Sequence, residues 1–368
     1  MINVDEHGKT MNGYNRIRIV EYQPSFCSEV ESFLCSQAGA SPYHYPVWSD
    51  IYHAIFGHQP KHLVALDHDG KIAGFFPCLL IRWPVKRLVS FPHRDRGGPV
   101  AVDEKIEKLL INHVLQDAAK AESVRYVKLR AIGTRSEKSW KDMGGIISSP
   151  RVTMVKSLPA PNQDIRETGI DDSLKRALRI AEESGLTFED VSQEHNAWIA
   201  FYSMFLKTRR RLGAPSYPWP FFSALSRMAV PAGISRLFMV KKDARPCAAM
   251  IVMLTKYTAI YAYGASDRET WSLRPNDFLM WKVLQWCADR AIAKFDFGAD
   301  QREQESLIRF KAKWNGVCEQ AMEAVWPLKG KPPASMRSST QNFLSRIHRH
   351  LPIWALRTEG SLIFRILD

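Results

Sequence analysis

Paired cysteines are missing from this sequence. The six it has (Cys27, Cys35, Cys78, Cys247, Cys287 and Cys318) are scattered, with no Cys-x-x-Cys spacing. That argues against a zinc site or a disulfide framework and fits a reducing, cytoplasmic setting. His44, His53, His58, His62 and His93 cluster in the first half without metal-ligand spacing, so no metal is expected. No Ser-His-Asp or Cys-His arrangement stands out. The start, Met1 to Gly8, is polar and acidic and lacks the apolar core of a signal peptide. Long apolar runs are missing too; the best, Ala248 to Leu254, is strand-sized rather than membrane-sized. Acidic residues are in deficit, leaving a net charge of +13. Such a balance favours an anionic partner: RNA, a nucleotide-linked or phospholipid-linked substrate, or a membrane surface.

At 368 residues, 45% hydrophobic and 24% charged, the chain fits two globular domains. Residues 16–23 alternate as a strand, and Ser25 to Ser36 reads as a helix. An aromatic loop from Ser41 to Trp48 leads into a short helix ending near Phe56. Strands are expected at 62–67, 72–82 and 88–91, the first two joined by Asp69-Gly70. After the loop Pro92 to Val100, Asp103 can cap a helix, and 125–130 returns as a strand. The Pro-rich stretch 157–170 reads as a crossing between domains. The same order of elements then repeats. Asp172 is expected to cap a helix with Leu174, Ala177, Leu178 and Ala181 on its apolar face. Helices follow at 195–211 and 219–228, strands at 235–241, 246–254 and 257–264, and a helix opened by Pro275. The repeat suggests a duplicated fold, with domains at 1–160 and 161–330.

Residues 331–368 form a basic tail after the linker signal Lys329-Gly-Lys-Pro-Pro. It carries Arg337, Arg346, Arg349, Arg357 and Arg365 against Glu359 and Asp368. Phe343, Leu344, Ile347 and Leu351 make one amphipathic face; Leu362, Ile363, Ile366 and Leu367 make another. Two readings stay open: helices packed on the body, or an element lying on a membrane surface.

The chain is organised around residues 293–316. A short buried strand ends in Asp296, Gly298 turns the chain, and a helix starts near Gln304. On that helix Leu307, Ile308, Lys311 and Trp314 are expected to share one face, so Lys311 points toward the protein. A core-facing lysine must meet an anion or snorkel out. Asp296 stands at the mouth of the preceding strand, where α/β sheets hold ligands. Tyr257, Tyr261 and Tyr263 are expected to alternate onto one strand face.

Phe295-Asp-Phe-Gly followed by Phe310-Lys-Ala-Lys-Trp-Asn-Gly resembles the C-terminal signature of FemAB-like proteins of the N-acetyltransferase (GNAT) superfamily, in its exopolysaccharide-associated branch. Trp48 with Pro60, Arg96-Gly-Gly-Pro-Val, Arg209-Arg-Arg-Leu-Gly-Ala-Pro and Tyr261-Ala-Tyr-Gly with Pro275-Asn276 match the family's order over residues 15–326. The resemblance implies an α/β fold of tandem GNAT-like domains, each a mixed, mostly antiparallel sheet flanked by helices, plus the helical tail. It also implies transfer of an acyl or aminoacyl group onto an amine or hydroxyl of a cell-envelope or exopolysaccharide precursor. The donor would be acyl-CoA or aminoacyl-tRNA, and the acceptor anionic or lipid-linked. Partners left open are tRNA and peripheral membrane contact through the tail. Direct attack needs a proton acceptor and charge stabilisation, and Asp296 and Lys311 are the candidates. Arg94, Arg96, Arg209, Arg210, Tyr217, Tyr261, Tyr263, Asn276, Lys313 and Trp314 are the candidate substrate contacts. The sequence departs from that pattern in two ways: Ala299-Asp300-Gln301 replaces a basic Arg-Ser-Lys, and Trp314-Asn315-Gly316 replaces Trp-Gly. Apart from these, the loop from Gly264 to Arg274 has no further glycine to cradle the phosphates of acetyl-CoA. A non-catalytic binding protein and a plain acetyl-CoA N-acetyltransferase are the alternative readings.

Overall fold

The computed structural model describes residues 17–366 apart from 122, 134–135 and 331–344. Met1 to Gly8, Arg16, Lys331 to Pro333, Arg337, Phe343, Leu344, Leu367 and Asp368 therefore lie outside the described residues. The first half runs β1 (Arg18–Glu21), α1 (Cys27–Ser36), α2 (Pro46–Phe56), β2 (Gln59–Pro60), β3 (Leu63–Leu66), β4 (Ile72–Phe76), β5 (Leu79–Ile81) and β6 (Arg87–Val89). It continues with β7 (Val100–Ala101), α3 (Glu104–Lys120), β8 (Tyr126–Ile132), α4 (Glu137–Asp142) and β9 (Ile146–Ser157). The second half runs α5 (Asp172–Glu183), β10 (Thr187–Asp190), α6 (His195–Leu212), α7 (Trp219–Ala224), β11 (Ser235–Lys242), β12 (Arg245–Leu254) and β13 (Thr258–Ser266). It closes with α8 (Pro275–Ala288), β14 (Lys294–Asp296), β15 (Asp300–Gln301), α9 (Glu305–Ala312) and β16 (Val317–Pro327). Helices α10 (345–350) and α11 (Ile353–Ile366) form the tail.

Each half contains one parallel pair, β6 with β8 and β13 with β14. Each pair is then completed by a strand from the other half. Strand β9 crosses to β14, β16 crosses to β8, and β9 and β16 pair with each other. The result is a continuous twelve-stranded sheet through both halves, beside a smaller sheet ordered β1-β3-β4-β7. The two halves repeat one arrangement, as the duplicated order of elements predicts, and the two copies are interlocked rather than laid side by side.

Local chemistry explains most boundaries. Asp103 accepts from the Ile106 N–H and caps α3. The cap of α5 is Asp171 rather than the expected Asp172; its carboxylate accepts from Ser173 N–H. Leu174, Leu178 and Ala181 are buried as their spacing requires. The single strand expected over 72–82 is two strands in different sheets. Pro77 has no N–H to give a ladder, and the next N–H, of Cys78, goes to His62 Nδ1 at 3.0 Å.

The largest core lies on one face of the main sheet and draws on both halves: Trp48 and Tyr52 of α2, Phe201 and Phe205 of α6, Phe221 of α7, Tyr263 of β13. The tail belongs to it. Leu356 and Phe364 of α11 are buried there, and an added Cβ at Gly360 would meet Ser216 O. Arg87 donates to Ile366 O at 2.5 Å, and the His93 ring nitrogen Nε2 bonds Phe364 O at 3.1 Å. Packing on the body therefore holds for Leu356, Gly360 and Phe364, while Leu362 of the expected apolar face is 62% exposed and Ile363 and Ile366 are half-buried. Among the described residues no helix is long and apolar enough to cross a membrane.

Candidate functional site

The loop after β6 is the hub. His93 and Gly97 hold positive φ (61° and 154°), and a Cβ on Gly97 would come within 2.7 Å of Phe91 Cβ. The kinked backbone aims three successive side chains in three directions. Arg94 enters the aromatic core and donates to the Tyr263 hydroxyl. Asp95 accepts from Arg151 at 2.8 Å and from Ala299 N–H at 3.3 Å. Arg96 pairs with Asp296. Beneath the loop, Ser41 N–H donates to His44 Nδ1 at 2.8 Å, which leaves Nε2 to donate to Gly98 O at 3.0 Å. Burial pushes the His44 imidazole down to about 4, so it is a neutral strut.

Asp296 ends β14 and is fully buried. Its Oδ1 accepts from the Thr153 hydroxyl and from Gly298 N–H at 2.7 Å; its Oδ2 takes Arg96. Gly298 turns the chain at φ 77°, and a Cβ there would sit 2.8 Å from Tyr261 O, so two separate demands select glycine. Around Asp296 the two halves enclose a cleft of about 430 Å³, lined among others by Arg96, Gly97, Gly98, Lys294 and Glu319.

Lys311 is 4% exposed, as its inward position predicts, but its partner is not Asp296. Its ammonium pairs with Asp300 at 2.7 Å and donates to Gly298 O at 2.7 Å. Burial raises the Asp300 pKa, and Lys311 opposes that rise. Leu307 is 40% exposed and leaves the inward face to Ile308 and Lys311.

A second depression, of about 510 Å³, lies between α6 and the loop following β13. Lys207, Arg211 and Arg268 line it, and the buried Thr208 hydroxyl there has no hydrogen-bond partner among the described residues. Its acids are taken elsewhere: Arg245 holds Asp267 at 2.6 Å and Glu269 at 2.5 Å. The Arg211 guanidinium lies 4.6 Å from the Trp271 ring centre, and burial with Arg268 nearby lowers its pKa.

Residues 171–311 match the family described as acetyltransferase (GNAT) domain. Over that span the sequence is similar to GNAT acetyltransferase domains. In fold the chain is similar to FemX (15% identity, TM-score 0.68, covering 84% of this chain and 97% of that one). It is also similar to the C-terminal domain of a putative lysylphosphatidylglycerol synthetase from Agrobacterium fabrum (16%, 0.55, 83% and 92%). A third likeness is a tandem GNAT protein from the clavulanic acid biosynthesis pathway (10%, 0.56, 86% and 100%). A comparison with curated proteins found no match.

Within this GNAT frame the remaining expected contacts separate. Tyr261 and Tyr263 do not share a face. A bulge sets Ile251 opposite Tyr263 but Val252 opposite Tyr261. Tyr263 and Tyr217 therefore join the aromatic core, while Tyr261 packs on the α8 side, near Asp300. Arg209 turns back to Pro215 O at 2.8 Å, Arg210 is exposed, and Arg211, one helical turn from Lys207, faces the second depression. Asn276 is exposed and bonds Ser266 at 3.3 Å. Lys313 is exposed and reaches Ser173 at 3.0 Å, away from the cleft. Trp314 is fully buried in the core beneath β14, because the chain leaves α9 before it and turns inward. Lys294, Asp300 and Glu319 were not expected from the sequence. Asp300 had one signal, the acidic departure after Phe-Asp-Phe-Gly.

Proposed function

We propose that the protein transfers an acyl or aminoacyl group from a phosphate-bearing donor to an amine or hydroxyl of an anionic cell-envelope or exopolysaccharide precursor. The observation that carries this reading is the polar cleft between the halves. It opens where β13 and β14 run parallel, and Arg96 is fixed in it by a buried carboxylate. Arg96 is the group that would face developing negative charge on the acyl oxygen, held in place beforehand by Asp296. Asp296 acts as a positioning residue, and Lys311 with Asp300 holds the turn that carries it. Acyl-CoA and aminoacyl-tRNA both bear phosphates suited to Lys207, Arg211 and Arg268, whose side chains replace the missing glycines. The likeness to a lysylphosphatidylglycerol synthetase domain supports an aminoacyl donor and a lipid-linked acceptor.

The test offers the purified protein aminoacyl-tRNA and acyl-CoA in parallel with envelope-precursor amines and hydroxyls. Turnover with one donor is expected. Arg96→Lys keeps the ion pair but loses the fork, and should cut kcat roughly 10²-fold, near the low end for one lost oxyanion donor. Specific binding of a precursor without turnover of either donor would favour the binding-protein alternative.

A further inference from the structure

The cleft holds two carboxylates in different states. Glu319 on β16 stands directly opposite Thr153 of β9 in antiparallel register. Opposed residues share a face, with Cβ atoms about 5 Å apart. The Thr153 hydroxyl donates to Asp296, so Thr153 separates the two acids across neighbouring strands. Both line the same cavity, together with Arg96 and Lys294. Three donors converge on Asp296. The Glu319 carboxylate is half-buried and has no hydrogen-bond or ion-pair partner among the described residues.

We propose that Glu319, not Asp296, accepts the proton of the attacking nucleophile; the assignment rests on the transferase reading above. A general base must reach the proton it removes through a free oxygen. Asp296 would have to give up Arg96, Thr153 or Gly298 to do so, whereas Glu319 gives up nothing. In the step, a neutral amine or a hydroxyl attacks the acyl carbon and a C–N or C–O bond forms. The N–H or O–H proton passes to the Glu319 carboxylate, and negative charge gathers on the acyl oxygen facing Arg96. The tetrahedral species then collapses, the donor's C–S or C–O bond breaks, and the leaving thiolate or alkoxide takes the proton back from Glu319. Atoms and charge balance, and Glu319 returns to its starting form.

The experiment compares Glu319→Gln, Glu319→Asp and Asp296→Asn with the donor that the wild-type protein uses. For Glu319→Gln, kcat should fall roughly 10²–10⁴-fold and the acid limb of the kcat/KM profile should flatten. Its Tm should stay at the wild-type value, because no partner is lost. Glu319→Asp should recover part of the rate. Asp296→Asn should keep the acid limb while its Tm falls. Wild-type kcat with an unchanged acid limb in Glu319→Gln would overturn the assignment alone. Failure of the wild-type protein to turn over either donor would overturn the transferase reading and the assignment with it.

Discussion

Lys311 and Arg94 are both buried cations, 4% and 6% exposed, and the molecule holds them in opposite ways. Lys311 meets a carboxylate and a carbonyl, each at 2.7 Å. Its charge is answered within one turn of chain. Arg94 meets rings. Tyr43, Trp48, Tyr217 and Tyr263 have their centres 5.0–5.6 Å from its guanidinium carbon, and Nε has no hydrogen-bond partner among the described residues. Aromatic faces attract a cation without neutralising it. Lys311, the catalytic candidate of the sequence, is thus tied to the Gly298 turn and to Asp300, and Arg94 lies among rings.

The largest expected effect comes from opening the lysine's pair. Asp300→Ala leaves Lys311 buried without its counter-ion and should lower stability by roughly 3–5 kcal/mol in denaturant unfolding. Lys311→Met is the gentler cut: burial already favours the protonated Asp300, so a neutral acid can remain, and the cost should stay under about 2 kcal/mol. Equal costs for the two would break the comparison.

Arg94→Met removes a cation that has no carboxylate to strand. It should change stability by less than about 1.5 kcal/mol by the same measurement. A loss above roughly 3 kcal/mol would place Arg94 beside Lys311 as a fastening.

The smallest effect is a titration. Burial first, then His58, Arg94 and Arg130, hold the neighbouring His93 down at about 3. Unfolded histidine titrates near ~6.5, so on acidification the unfolded chain takes up a proton before the fold does. Stability tied to His93 is therefore complete above that pH and declines as pH falls toward 3. In Arg94→Met the His93 titration, followed by NMR, should move upward and the acid loss should shrink. An unmoved titration would mean that the Arg94 charge does not reach its neighbour.

The sequence made the local parts of the site readable. The strand ending in Asp296, the glycine turn and the inward lysine all follow from spacings of a few residues, and each is present. The pairings were not readable. Arg96 and Asp296 lie 200 residues apart, and only the interlocked strands bring them together. Asp300 reaches Lys311 because β15 pairs back onto β9, a contact with no periodic signature. One bulge in β13 reverses the side on which Tyr261 lies, which a period of two cannot foresee. Glu319 sits in a strand whose face is decided by its partner's register. Trp314 lies beyond the end of α9 at Ala312, so helical spacing does not govern its direction.

The exchange of β9 and β16 also sets an order of events during synthesis. Strand β8 is complete at residue 132, yet its neighbour on one side, β16, ends at residue 327. Until that stretch has left the ribosome, the first half carries β8 and β9 with edges waiting for β16. Bare strand edges invite pairing with other chains. A chain stopped at residue 311, where the family match ends, would keep those edges permanently. The span matched by the family is thus shorter than the span that must be made before the first half can close.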